Sequence, residues 1–232
     1  MTNFTIKVVS DTICPWCYLG KKRLERAIGL YKKTVPGGAE DTFTITWHPF
    51  YLDPSLPKGE GIDPKVHLGR KFGPDRLAMV HARLKALGEA EGIKFSLNGK
   101  IGNTRDAHRL VQLAKTKSNE LENKVVSELF RSHFEEDGNV TSHDMLIAAG
   151  EKAGLDKDEV KQWLESGKGG QEVDREVEDA YRKGVHGVPN FTINDRYQVE
   201  GAQDAETFVE EFVRVKESAP DVSARGSEGV SC

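Results

Sequence analysis

Between a short apolar run and a long amphipathic one, the chain reads Asp11-Thr12-Ile13-Cys14-Pro15-Trp16-Cys17-Tyr18-Leu19-Gly20. The preceding residues, 4–10, include three β-branched apolar side chains and predict a short buried strand. A helix is predicted from Pro15 to about Thr34, because proline suits the first helical turn, where a missing N–H removes no hydrogen bond. Cys14 and Cys17 are therefore expected at the carboxyl end of a buried strand and at the start of a helix.

This position favours redox chemistry at the cysteine pair. A thiolate at a helix start faces unpaired backbone N–H groups and the positive end of the helix dipole, and both stabilise the anion. The thiolate is the species that reacts in thiol–disulfide exchange. We expect Cys14 to be the exposed attacking sulfur and Cys17, one turn further along, to be the buried sulfur that resolves the mixed disulfide.

The pair could instead be half of a structural zinc site. Such a site needs four ligands, usually supplied by a second C-x-x-C or a pair of histidines. The only other cysteine is Cys232, the last residue, and His108, His133 and His143 do not have ligand spacing. The pattern therefore favours a redox dithiol and no metal.

The remaining predicted elements give the fold class. A strand is expected at 43–47, a loop at 51–61, a helix at 171–183, two strands around a turn at Asn194-Asp195, and a last helix after Asp204. Residues 63–167 have only helical periodicity, with cap signals at Asp63-Pro64, at 141–144 and at 156–159. Without this block the order is βαβ followed by αββα, which is the thioredoxin order.

We therefore predict an α/β protein with a thioredoxin-like fold and a large all-helical insertion. The discontinuous thioredoxin-like domain is predicted at 1–62 and 169–217, the insertion domain at 63–168, and a disordered tail at 218–232.

Composition narrows the expected partners and the expected cellular location. Of 232 residues, 37% are hydrophobic and the formal net charge is −4, so no basic excess points to nucleic acid or to a membrane surface. No secretory signal pattern opens the sequence and no apolar run is long enough for a membrane span. Three cysteines do not make a disulfide framework, which favours a reducing compartment, and a cytoplasmic location is expected.

Three further stretches stand out beside the dithiol segment. They are Asn103-Thr104 with Ala107-His108-Arg109-Leu110, Leu129-Phe130 with Phe134, and Gly187-Val188-Pro189 with Gly201-Ala202-Gln203. Over residues 4–215 the chain resembles the DsbA-like oxidoreductases, and specifically their FrnE branch. The resemblance implies a cis peptide bond between Val188 and Pro189 beside the dithiol, so that Pro189 joins Cys14 and Cys17 in the catalytic site.

The expected substrate-binding residues come from the motif, from the neighbourhood of the proposed cis proline and, for Asn103 and His108, from the resemblance. They are Pro15, Trp16, Val188, His186, Asn103 and His108. Simpler interpretations are an exposed loop residue for His186 and a packing residue for His108. Asp11, just before the turn, is expected to be a helix N-cap, and the alternative is that it accepts a proton from Cys17 or positions a water molecule. Periplasmic DsbA-type oxidants typically carry histidine where Trp16 stands, so a less oxidising couple is expected here.

The predicted function is that of a thiol–disulfide oxidoreductase, a reductase or isomerase acting on disulfide-containing proteins or small thiols. No cofactor is expected beyond glutathione as reductant or co-substrate, and the protein is expected to be a monomer or homodimer. The alternative is a glutathione-dependent transferase or a 2-hydroxychromene-2-carboxylate-type isomerase. Those relatives typically have serine at the position of Cys14. A binding module without catalysis is the third interpretation, and the intact dithiol argues against it.

Overall fold

The computed structural model describes residues 1–218 and has a four-stranded sheet at its centre. The strands are β1 (Asn3–Ser10), β2 (Thr42–Pro49), β3 (Asn190–Ile193) and β4 (Tyr197–Glu200). Their spatial order is β2-β1-β3-β4, with β1 parallel to β2 and antiparallel to β3, and with β3 antiparallel to β4. The first strand of the sequence is thus an inner strand, and Phe4, Ile6 and Val8 are buried along it.

The helices follow the predicted order. They are α1 (Pro15–Thr34), α2 (Pro64–Phe72), α3 (Pro74–Ala90), α4 (Arg105–Lys117), α5 (Asn119–Phe134), α6 (His143–Ala153), α7 (Lys157–Glu165), α8 (Gly170–Arg182) and α9 (Ala205–Ser218), with a 3-10 turn at Gly38–Glu40. The predicted thioredoxin-like fold with a helical insertion is confirmed. Within residues 1–218, no helix is both long and apolar enough to cross a membrane.

Element ends differ from the prediction in a few places. The last strand begins at Tyr197 and not at Arg196, because Asn194 and Asp195 take left-handed backbone angles and the Arg196 N–H closes the turn onto the Ile193 carbonyl. Ser218, the first residue of the predicted tail, still belongs to α9. The rest of that tail, with Cys232, lies outside the described residues.

An aromatic cluster fixes α1 and α9 to the sheet. Phe4 of β1 stacks on Phe43 of β2, and both contact Tyr31 of α1 and Phe212 of α9 edge-on. The Tyr31 hydroxyl donates to the buried carboxylate of Asp41 at 2.8 Å, so the polar end of this ring is also satisfied.

Close approach of helix and sheet requires a glycine next to the dithiol. A Cβ atom on Gly20 of α1 would lie 3.0 Å from side-chain atoms of both Phe191 and Pro189. The small residue that ends the quoted motif therefore lets α1 lie directly against β3.

The insertion has two parts. The α2–α3 hairpin comprises residues 64–90, and the α4–α7 bundle comprises residues 105–165. The predicted cap signals are confirmed, since Asp63, Ser142 and Asp156 each accept backbone N–H groups at the starts of α2, α6 and α7. The bundle is joined to α1 through aromatic contacts, in which Tyr18 stacks on Phe130.

Candidate active site

The cysteine pair occupies the turn between β1 and α1, as predicted. Cys14 is the N-cap residue of α1, with φ −92° and ψ 110°, and Pro15 takes the first helical position. The Cys17 N–H donates to the Cys14 carbonyl at 3.0 Å, and the Cys14 N–H donates to the Asp11 carbonyl at 3.1 Å. This backbone arrangement places both thiols at the amino-terminal end of the helix.

Cys14 is less exposed than predicted. Only 3% of the residue is accessible, so the expectation of an exposed attacking sulfur is wrong for the protein in this conformation. The reason is the segment after α8, which comes close to it: the Cys14 thiol donates to the Val188 carbonyl, with Sγ···O 3.6 Å. The predicted cis peptide bond between Val188 and Pro189 is present.

Cys17 lies behind Cys14 and is 1% exposed, in agreement with the prediction of a buried second sulfur. Burial raises the pKa of the Cys17 thiol well above its ordinary value, and the adjacent Cys14 side chain raises it further. Hydrogen bonds from Ser10 and from the Asp11 backbone act in the opposite direction. At neutral pH, Cys17 therefore holds its proton.

Asp11 is not a helix cap. Its carboxylate accepts the Leu52 N–H at 2.7 Å, and the residue is 1% exposed. The second carboxylate oxygen has no hydrogen-bond partner among the described residues, although His108 Nε2 lies 3.4 Å away. Asp11 therefore ties the dithiol turn to the loop after β2, and it leaves one carboxylate oxygen buried and unpaired.

A small cavity of about 20 Å³ lies behind the turn, and we call it the rear cavity. Polar side chains on its wall are Ser10, Thr12, His48, His108 and Gln112. The hydroxyl of Thr12 is buried and has no partner among the described residues. The rest of the wall is apolar, but the volume suits a single water molecule, for which these polar side chains offer hydrogen-bond partners. A charged cluster stands next to this cavity, since Glu176 accepts from His48 at 2.8 Å.

A much larger cavity, of about 410 Å³, lies in front of the turn, and we call it the front cavity. Cys14, Pro15, Trp16 and Val188 form one side of it. The α2–α3 hairpin and the loop after β2 form the other side. Apolar lining residues outside the turn are Leu52, Leu56, Leu68, Phe72, Leu77, Val80, Leu84 and Ile101. The titratable lining residues outside the turn are Asp53, His67, Lys71, Arg76 and His81. The front cavity thus brings a thiol, an apolar wall and several cations together.

The other predicted site residues are not all brought to this cavity. Trp16 is half-buried, with the Arg83 guanidinium 5.9 Å from its ring. His108 is buried, and its Nε2 lies 3.2 Å from the Phe50 carbonyl, on the rear side. His186 is exposed and lines a separate surface pocket beside Pro189.

Asn103 does not line the front cavity either. It lines a polar cleft with Arg105 and Thr141, and its side-chain oxygen accepts the Arg105 N–H at 3.1 Å. Asn103 therefore has a local structural role at the start of α4. For both Asn103 and His186, a role in substrate binding stays a prediction.

Sequence reasoning missed the front wall. The hairpin residues His67, Lys71, Arg76 and His81 fall within the block that was predicted only as helical. The available signal was an excess of basic residues between positions 64 and 90, which hold six lysines and arginines against two acidic residues. Within residues 1–218, no group of three or more histidine, cysteine or acidic side chains is placed to hold a metal ion.

Comparison with known proteins shows which of them share this architecture. A family model described as a DSBA-like thioredoxin domain matches residues 5–213. The uncharacterized protein YwbO of Bacillus subtilis (strain 168) is 29% identical over 209 residues, which cover 88% of this chain and 92% of that protein. The crystal structure of a probable DsbA oxidoreductase from Streptomyces coelicolor is similar with a TM-score of 0.83 and 28% identity, over 93% of this chain and 91% of that chain.

A more distant structure has the same fold. A 2-hydroxychromene-2-carboxylate isomerase is similar with a TM-score of 0.71 and 16% identity, over 92% of this chain and 96% of that chain. At that identity the likeness concerns the fold alone. The family match instead extends from β1 to α9 and includes the dithiol turn and the helical insertion. The chain therefore belongs to the family of DSBA-like thioredoxin domain proteins.

Proposed function

We propose that the protein is a thiol–disulfide oxidoreductase of the FrnE branch, acting as a reductase or isomerase through Cys14 and Cys17. The observation that carries this proposal is the position of the two sulfurs. Cys14 sits at the N-cap of α1 and forms part of the front cavity, whereas Cys17 is buried directly behind it. That arrangement suits one sulfur for attack and the other for resolution.

The proposed reaction has two exchange steps. The Cys14 thiolate attacks one sulfur of a substrate disulfide, a Cys14–substrate disulfide forms, and the other half of the substrate leaves as a thiolate. Cys17 then gives up its proton and attacks Cys14, which releases the second thiolate and leaves a Cys14–Cys17 disulfide. Two electrons pass from the dithiol to the substrate, and both leaving thiolates take up protons.

Regeneration needs an external thiol, and we propose glutathione as reductant or co-substrate in the cytoplasm. A second candidate function is a glutathione-dependent transferase or isomerase. The size of the front cavity favours keeping this candidate, because 410 Å³ lies in the range of small-molecule sites.

Two variants test the proposal. Disulfide reduction and the refolding of scrambled ribonuclease should fall by at least about a thousandfold in Cys14→Ser, because the attacking thiolate is gone. Cys17→Ser should accumulate mixed disulfides that mass spectrometry can identify. Full activity of Cys14→Ser would contradict the dithiol mechanism, and retained isomerase activity with a glutathione requirement would favour the second candidate.

The residue between the cysteines sets a further expectation. Trp16 has no ring charge to stabilise the Cys14 thiolate, so we expect a less oxidising couple than that of DsbA, which is about −120 mV. Equilibration with reduced and oxidised glutathione gives the potential directly. A value near −120 mV would exclude the proposed reductase direction.

A further inference from the structure

The front cavity is the feature from which the substrate can be inferred. We propose that it admits low-molecular-weight disulfides that combine an apolar body with an anionic group, and that the α2–α3 hairpin selects them. This inference rests on the proposed oxidoreductase function and names its substrate class.

The walls define the apolar part of the substrate. The hairpin lines the side of the cavity opposite Cys14 with apolar residues. They are Leu68, Phe72, Leu77, Val80 and Leu84. Phe72 is 47% exposed although it is a large aromatic residue, so part of the wall has no partner within the described chain. Covering apolar surface in a concave site with a ligand lowers the free energy, because that surface leaves contact with water.

Charge defines the other part of the substrate. Lys71 and Arg76 both line the cavity. Lys71 is already paired with Asp53, with Nζ···Oδ2 3.1 Å, whereas Arg76 forms no salt bridge with any residue of the described chain. A guanidinium binds a carboxylate through two parallel hydrogen bonds, so Arg76 can receive an anionic group that enters the cavity.

The surrounding hairpin strengthens this preference. Residues 64–90 carry six lysines and arginines against two acidic residues, whereas the whole chain has a net charge of −4. His81, which also lines the cavity, has its pKa lowered by burial and by the neighbouring cations Lys85 and Lys65. The hairpin beside Cys14 thus has a positive balance, of which Lys71 and Arg76 line the cavity, and this charge would draw anionic substrates in and disfavour cationic ones.

The size of the space favours small substrates over folded proteins. Cys14 is 3% exposed and contributes to a cavity of about 410 Å³ under the hairpin. A disulfide carried by a folded protein would have to reach the sulfur through this space, which Leu77 and Val80 of the hairpin line. A disulfide with one aromatic ring on each side can enter this space with one ring first.

The test compares disulfides that differ in one property at a time. Reduced protein is mixed with 4,4′-dithiodibenzoate (aromatic, anionic), bis(4-aminophenyl) disulfide (aromatic, uncharged), 3,3′-dithiodipropionate (aliphatic, anionic) and cystamine (aliphatic, cationic). Each second-order rate constant is divided by that of the same disulfide with dithiothreitol, which removes differences in intrinsic reactivity. The normalised rate for dithiodibenzoate should exceed each of the other three by at least about tenfold.

Matched arginine variants locate the effect. Arg76→Gln should lower the preference for dithiodibenzoate over the uncharged aromatic disulfide several-fold. Arg70→Gln, which removes an equal charge from an exposed site on the same hairpin outside the cavity, should leave that preference unchanged. Equal effects of the two substitutions, or equal normalised rates for anionic and cationic disulfides, would overturn the proposal.

A protein substrate separates this proposal from the underlying function. If scrambled ribonuclease is reduced in a Cys14-dependent way while the small disulfides show no selectivity, the substrate proposal fails and the oxidoreductase function stands. If no disulfide reacts faster with the wild type than with Cys14→Ser, the oxidoreductase function itself fails.

Discussion

The two parts of the helical insertion differ in how they are packed. The α4–α7 bundle buries charged and aromatic side chains, among them Arg109, which is 2% exposed and donates to the backbone carbonyls of Trp163, Leu164 and Lys168. The α2–α3 hairpin instead leaves Val66, Phe72 and Met79 largely exposed. The bundle behaves as an extension of the core, whereas the hairpin is held mainly at its inner face.

This difference matches the two cavities beside the dithiol. The rear cavity, against the bundle, is about 20 Å³, and the front cavity, under the hairpin, is about 410 Å³, and apolar surface prevails in the lining of both. A densely packed rear side holds Cys17 and its hydrogen-bond partners in place. The front side leaves a larger space beside Cys14, which is where we propose that the substrate binds. We expect mutations in the bundle to change stability and mutations in the hairpin to change reactivity.

The largest effect is expected for Arg109→Met. The substitution removes the donor to the carbonyls of Leu164 and Lys168 and one of the two donors to the Trp163 carbonyl. We expect a loss of about 3 kcal/mol or more in the free energy of unfolding. Urea unfolding measures the loss. Arg70→Met in the hairpin is the control, with an expected change within about 0.5 kcal/mol. Similar losses in both variants would contradict the division into two parts.

A smaller effect is expected from histidine titration. Complete burial lowers the pKa of His133 in the bundle below 6.5, against a weaker opposing effect of the Gly138 carbonyl. The unfolded chain therefore binds this proton at a higher pH than the folded chain does. Stability should fall as the pH drops below about 6.5, towards the folded pKa.

Two variants test whether His133, in the bundle, causes this dependence of stability on pH. Urea midpoints measured between pH 7 and pH 5 should depend less on pH in His133→Asn, whose amide can still donate to the Gly138 carbonyl. His81→Asn should remove less of the slope, because His81 is only half-buried, although its pKa is also lowered. An unchanged slope in His133→Asn would show that another group is responsible.

The smallest effect is expected at Asp53. Hydrogen bonds from Ser55, and also from Lys71 and His67, lower the pKa of this carboxyl to about 2, so it neutralises part of the cavity's positive charge at neutral pH. Asp53→Asn frees Lys71, and the rate with dithiodibenzoate should rise about two- to threefold while stability stays within about 0.5 kcal/mol. A slower reaction with the anionic disulfide would show that Asp53 positions the cations instead of masking them.

Much of the fold could be predicted from local patterns. Pro15 and the apolar spacing after it predict the two ends of α1 that the structure shows. The helix caps at Asp63, Ser142 and Asp156 also lie where the sequence predicts them. These signals depend on residues that lie a few positions apart, so the sequence alone contains them.

The site was predictable only in part, because its walls come from distant segments. The turn with Cys14 and the nearby Val188 followed from a motif and a resemblance. The front wall did not, since helical spacing shows that Leu77 and Val80 share a face but not what that face covers. Asp11 shows the same limit of local patterns. An aspartate just before a helix is typical of a cap, and only the fold shows that its carboxylate accepts the Leu52 N–H instead.

The inner position of β1 has a consequence for synthesis on the ribosome. β1 is made before the other three strands, yet one of its two neighbours in the sheet is β3, where Ile6 pairs with Ile193. The segment with Val188, which touches Cys14, is also made late. A nascent chain therefore carries both cysteines long before their surroundings exist, and the structure around them is completed only when nearly all of the described chain has emerged.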